Sequence, residues 1–165
     1  MSTFAMKHEL ECSPERFWSV FFELEFNEKL FKVLGFPHWK LIDTRETERQ
    51  IVRTIKATPK IDAPAPVVKL LGSTFGYEEV STFDKATKVL RFVVKANVLS
   101  DKLGAVGTVR CEPRGDGTSL CVVEITTEAK VFGLGGMIES AFERSFRNGW
   151  QGSAAFINAW VKGHP

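Results

Sequence analysis

The run FGLGGMIESAFERSFRNGWQGSAAFINAW, Phe132 to Trp160, constrains this chain more than any other stretch. Its apolar residues recur at helical spacing. Yet Gly149 and Gly152 stand in its interior, where each glycine costs about 1 kcal/mol relative to Ala. At about 100° per residue, Ile138, Phe142, Ser145, Gly149, Ser153, Phe156 and Trp160 fall on one narrow stripe. Glu143, Arg147, Gln151 and Asn158 lie opposite and are expected to face water.

The inner stripe is bulky at both ends and small in the middle, and Gly152 lies beside the small patch. Two accounts fit. In the first, small helix residues let bulky sheet residues such as Phe92 approach the helix backbone. In the second, the helix is hollowed at its centre and covers a cavity for an apolar guest. Such pockets are mostly apolar with a few placed polar groups. The order of the remaining elements favours the second.

Phe4, Met6, His8, Leu10 and Cys12 alternate with polar or small residues, the period of a strand with one buried face. SPERFWSVFFELEF follows, with Ser13 as N-cap, Pro14 at the first helical position and Glu15 in the first turn. NEKLFKVLG reads as a second short helix ending at Gly35. Six strand-like segments come next, from HWKLIDTRETE to SLCVVEITTEAKV, and GDGT between the last two is a hairpin signal. Pro59, Pro64 and Pro66 exclude TPKIDAPAPVVKLLG from a central strand. The whole predicts a single α+β domain spanning residues 1–165, with a curved antiparallel sheet and the last helix laid across it.

Composition narrows the function classes. Hydrophobic residues make up 44% of the chain, with 14 Phe and 4 Trp against 1 Tyr, so large apolar surface comes with few polar handles. A formal charge of +2, from 22 basic and 20 acidic residues without runs, argues against a nucleic-acid partner. Cys12, Cys111 and Cys121 lack metal-type spacing and read as buried free thiols. The first residues show neither a signal-peptide apolar region nor a membrane span, so a cytoplasmic location is expected.

GTVRCEPRGDGTSL, Gly107 to Leu120, resembles the penultimate hairpin of DUF2505, a bacterial subfamily of the START-like helix-grip (SRPBCC) superfamily. GLGGMIESAFERSF, Gly133 to Phe146, resembles that subfamily's entry into its long helix. The resemblance spans nearly the whole chain. It implies the helix-grip fold: a seven-stranded curved antiparallel sheet around a long C-terminal helix, with two short helices after the first strand. It further implies a hydrophobic small-molecule partner, lipid or sterol-like, held between sheet and helix.

Strand alternation then nominates the residues that line such a cavity. Phe92 and Val94 face inward if Arg91, Val93 and Lys95 face water, and Val109, Cys111 and Ile125 follow by the same logic. Phe75 and Tyr77 share a face, with Glu79 further along toward the sheet rim. Ile51, Arg53 and Ile55 alternate with Val52, Thr54 and Lys56, so either face of that strand buries something polar. Arg53 is then either an internal anchor for a ligand head group or an edge residue reaching solvent. On the helix side Met137, Ile138, Phe142, Ser145, Gly149 and Ser153 complete the candidate ligand-binding set. His8 is expected inward, as a hydrogen-bonded core residue before a catalyst. Val67, Val68, Leu70 and Leu71 either close the cavity mouth with Leu134 and Met137, touch a membrane beside Lys60 and Lys69, or form a short helix over the sheet's end.

No catalytic motif is present. G-x-S-x-G, H-E-x-x-H and the P-loop pattern are missing, and GLGGM departs from the dinucleotide fingerprint. His8, His38 and His164 are too dispersed to suggest a metal site. No catalytic residue, metal or cofactor is therefore assigned, and binding is expected over catalysis. The alternatives are a polyketide cyclase/aromatase-type enzyme using Arg53, Tyr77 and His8, or a protein-interaction module on the same fold.

Overall fold

The computed structural model describes all residues, Met1–Pro165. The strand β1 (Ser2–Leu10) leads into the helices α1 (Pro14–Phe21) and α2 (Leu24–Val33). Two strands, β2 (His38–Glu46) and β3 (Gln50–Thr58), precede the short helix α3 (Ala65–Leu71). Four strands follow, β4 (Tyr77–Asp84), β5 (Val89–Ala96), β6 (Leu103–Gly115) and β7 (Thr118–Ala129), and the chain ends in α4 (Gly135–Gly163). All seven strands form one antiparallel sheet in the order β1-β7-β6-β5-β4-β3-β2. This is the curved antiparallel sheet with a long helix across it that the element order predicts, in the helix-grip form that the resemblance implies.

Local chemistry accounts for the elements. The Ser13 hydroxyl accepts from the Arg16 amide at 3.1 Å and caps α1, with Pro14 behind it. The turn between β6 and β7 is Asp116-Gly117, flanked by the facing pair Gly115 and Thr118. Both turn residues have positive φ, 52° and 75°, as a tight hairpin requires. The sheet is half-wet: Phe92, Leu90 and Ala96 are buried, whereas Arg91, Val93 and Lys95 on the same strand are exposed.

The covered face holds two apolar clusters. The larger joins β1, α1, α2, the middle of the sheet and the C-terminal half of α4, with Phe17, Phe26 and Trp160 among its members. The smaller gathers Val67 and Leu71 of α3, Phe75, Leu103, Ala129 and Ile138 at the other end of α4. The long helix packs directly on β1 and β7 and touches α2. Its outer polar residues do more than face water. Asn158 accepts from the Glu11 amide at 2.8 Å and donates to the Glu9 carbonyl at 3.2 Å, and Arg147 donates to the Ala5 carbonyl at 3.3 Å. They fasten α4 to β1. No helix is long and apolar enough to cross a membrane.

Candidate functional site

Because α4 lies against β1 and β7, it stands clear of the strands on the far side of the sheet. A cavity opens there, with about 160 Å³ available to the centres of water molecules. Nineteen of its 27 wall residues are hydrophobic, so an occupant meets mostly carbon. The strands contribute Phe92 and Val94, α4 contributes Phe142, Ser145, Gly149 and Ser153, and α2 contributes Phe26, Leu30 and Leu34. Phe75 and Phe142 stack across it at 6.2 Å between ring centroids. Pro59 and Ile61, in the segment after β3, close the wall between α2 and α4. The Arg144 guanidinium ties that segment to α4 by donating to the Asp62 carbonyl at 3.3 Å.

The two helix glycines have different reasons. A Cβ at Gly152 would come within 2.6 Å of the Leu34 side chain, so that position is a close approach between α4 and α2. A Cβ at Gly149 would meet nothing within 4 Å. Gly149 faces open cavity, and the Ser153 hydroxyl turns back to its carbonyl at 2.8 Å, leaving the surrounding wall low. A third glycine shapes the opposite wall. A Cβ at Gly107 would collide with the Phe92 ring and approach the Glu124 carbonyl oxygen to 2.6 Å, so the ring occupies its place over Gly107 because that side chain is missing.

One corner of the cavity is polar. Arg53 is 6% exposed. Its Nη1 donates to the Phe21 carbonyl at 3.2 Å and to Asn27 Oδ1 at 3.5 Å. Asn27 is itself held, its amide nitrogen donating to the Phe21 and Glu23 carbonyls at 2.9 and 2.7 Å. The guanidinium sits 4.6 Å from the Phe21 ring centroid and 5.7 Å from that of Phe22. Arg53 Nε is buried without a hydrogen-bond partner. Tyr77 and Glu79 share the wall with Arg53, on the next strand. Burial pulls Arg53 down from its ordinary pKa, opposed by the Glu79 charge. Burial pushes the Tyr77 hydroxyl up, and the Glu79 charge pushes the same way. The Glu79 carboxyl is also raised by burial, partly offset by Arg53. Part of the surface of Tyr77 and Glu79 remains accessible, and that part belongs to the cavity wall.

Nine of the fifteen expected ligand-contact residues thus lie on one cavity: Arg53, Phe75, Tyr77, Phe92 and Val94 from the sheet side, and Phe142, Ser145, Gly149 and Ser153 from α4. The other six lie off it. Val109 and Ile125 point inward but are sealed in the larger cluster. Cys111 packs against that cluster beyond the cavity's end. Ile55 is buried beside the polar corner without reaching the open space. Ile138 belongs to the smaller cluster, and Met137 is 39% exposed on the outside of α4.

Two further expectations are corrected, and a third is decided among its alternatives. Glu79 is not at the rim but on the cavity wall, because it stands two residues along β4 from Tyr77 on the same face. His8 faces inward, yet it is off the cavity and its Nε2 is buried without a partner; burial lowers its pKa. Of the three readings of the segment Val67–Leu71, the short helix over the sheet's end is the one the structure shows. It is α3, with Val67 and Leu71 buried in the smaller cluster and Val68 the most exposed of the four apolar residues. The helices α1 and α2 were not assigned to the site, although Phe26, Leu30 and Leu34 at steps of four mark the stripe that reaches it.

Comparison with known proteins places this geometry among relatives. Residues 5–161 match the model of a family described as "Protein of unknown function (DUF2505)". No curated protein matches at a significant level. Solved structures match over nearly the whole chain. A START superfamily protein from Mycobacterium smegmatis is 11% identical with a TM-score of 0.63, over 96% of this chain and 98% of that one. The Zhui aromatase/cyclase from Streptomyces sp. R1128 is 10% identical with a TM-score of 0.69, over 98% and 93%. Norcoclaurine synthase from Thalictrum flavum, solved with dopamine and hydroxybenzaldehyde, is 13% identical with a TM-score of 0.64, over 99% and 88%. At these identities the likeness is one of fold.

Proposed function

The chain belongs to the DUF2505 family, and from the cavity under its long helix we propose that it binds a small hydrophobic molecule noncovalently. The observation that carries this reading is the open space at Gly149. A helix interior that gives up about 1 kcal/mol of propensity and then packs against nothing is explained by an occupant. Burial of the guest's apolar surface supplies the affinity, at about 25 cal/mol per Å². Arg53, Tyr77 and Glu79 at one end fix which way the guest enters. The cavity suits a compact molecule, or the ring end of a lipid or sterol-like one. The norcoclaurine synthase structure, which contains two small aromatic molecules, is consistent with a guest of that size.

The test uses an uncharged apolar fluorophore, N-phenyl-1-naphthylamine, with wild type and Gly149→Leu. The wild type should bind it with enhanced emission. The leucine would project into the cavity, so uptake should be lost while the circular dichroism spectrum stays native. Binding to Gly149→Leu at wild-type affinity would remove the reading. Mass spectrometry of an organic extract of the purified protein identifies any guest carried through purification.

A second reading, a cyclase-type enzyme, is favoured by one observation: a desolvated carboxyl and a phenol, Glu79 and Tyr77, share an apolar cavity. For such an enzyme, Tyr77→Phe should keep the fluorophore and lose turnover.

A further inference from the structure

The polar corner says more about the guest than its size. We propose that the guest is an anionic amphiphile, a monocarboxylate on an apolar body, whose carboxylate caps the unused edge of Arg53. The inference rests on the reading of the cavity as a ligand site and names its ligand class.

A guanidinium this deep is costly unless it is both paired and hydrogen-bonded. Arg53 is 6% exposed and forms no ion pair. Its only protein acceptors are two neutral oxygens, the Phe21 carbonyl and Asn27 Oδ1, and both sit on Nη1. Nε has no partner, and Nη2, on the same edge of the guanidinium plane, donates to no protein atom. The two N–H groups of that edge point in parallel, the fork that a carboxylate takes with both oxygens. Asn27 and the Phe21 carbonyl hold the opposite side, so the free edge is pre-positioned.

The protein's own carboxylates do not fill this place. Glu79 is the one acid on the cavity wall. In the strand register it faces Ile55, whereas Arg53 faces Ser81, so Glu79 is a diagonal neighbour and makes no ion pair with the guanidinium. The charge count selects the anion. Arg53 is the one basic residue on the wall, and burial favours the uncharged form of Glu79 beside it, which leaves one positive charge to match a single negative one. A phosphate monoester, carrying close to two, would leave charge uncompensated in an apolar space. The rest of the wall is carbon, so the remainder of the ligand is hydrocarbon or aryl.

The experiment compares matched pairs on wild-type protein by calorimetry at low ionic strength: 4-phenylbutyrate against 4-phenylbutan-1-ol, and octanoate against octan-1-ol. At least one acid should bind about tenfold or more tighter than its alcohol, as a charged hydrogen-bonded pair predicts. The preferred pair distinguishes an aryl acid from an aliphatic one. Arg53→Lys keeps the charge but not the fork, and should collapse the acid-over-alcohol ratio. Alcohols binding as tightly as both acids would overturn the carboxylate assignment while leaving the cavity reading intact. Failure of wild type to take up N-phenyl-1-naphthylamine would instead remove the cavity reading itself.

Discussion

Glu79 is a carboxyl whose surroundings favour its uncharged form, so it weakens the fold as pH rises. Its pKa in the fold lies above the ordinary 4.5, with burial outweighing the Arg53 charge. Well below 4.5 it is protonated in folded and unfolded chains alike and costs nothing. As pH rises through the folded value the unfolded chain is already ionised, so stability is lost. Glu79→Gln removes that loss. Its melting temperature should exceed that of wild type by a few degrees at pH 8, and the two should converge near pH 4. Equal melting curves across the range would show that Glu79 is solvated. At this scale the sequence was only partly legible. Arg53 could be narrowed to two places, because the alternating residues Val52, Thr54 and Lys56 include as many polar groups as its own face. What decides between them is Asn27, on a helix 26 residues away in sequence, which supplies the hydrogen bond on the inside. Glu79 was misplaced for a similar reason: a charge on an otherwise apolar face looks like an edge until the neighbouring strands are known to continue past it.

Elements were read more securely than residues, because periodicity is local. The alternation of β5 appears in the structure as it stands in the chain, and the middle of the α4 stripe lines the cavity, while the helix also buries Ala141, Ala154 and Ile157 outside that stripe. Depth along the stripe was not legible. Gly149 and Gly152 look alike in sequence, yet one faces empty space and the other the Leu34 methyl group. The difference depends on where α2 ends relative to α4, which no local pattern encodes. The same limit applies to Val109 and Ile125: alternation gives the face, but a second layer, here α1 and its aromatic residues, decides whether that face is cavity or solid core. On β6 the prediction concerns Gly107. Gly107→Ala places a methyl group against the Phe92 ring and the Glu124 carbonyl. The ring must swing toward the cavity and the carbonyl cannot retreat without shifting the ladder, so the variant should lose about 1–3 kcal/mol in urea unfolding, the range for an overpacked site. An unchanged midpoint would mean that the ring relocates freely.

For the whole molecule, the marked inequality is that α4 is hydrogen-bonded to one side of the sheet only. Asn158 and Arg147 bond it to β1, and Met1 at the start of that strand pairs through its amino group with Glu139 at 2.8 Å. Over β3 to β5 it has no comparable polar attachment: apart from apolar packing such as Phe142 on Phe75 and Gly152 against Leu34, the tie across that side is the Arg144–Asp62 hydrogen bond. The overall order of elements could be anticipated from turn and strand signals alone. The lopsided seating of the helix could not, since it follows from long-range bonds made by residues that look like ordinary solvent-facing positions.

That seating separates the part of the protein that must stay still from the part that can yield. Pro59 and Ile61 line the cavity from outside the sheet, so a guest that entered past them would need no strand to part from its neighbour, and the seven-stranded ladder would be a spectator to loading. Hydrogen exchange should record this division. Saturation with a tight guest should slow amides in α2 and in residues 59–62, while those of β1 and β7 keep their unliganded rates; slowing spread evenly over the sheet would mean that loading requires the whole barrel-like wall to breathe.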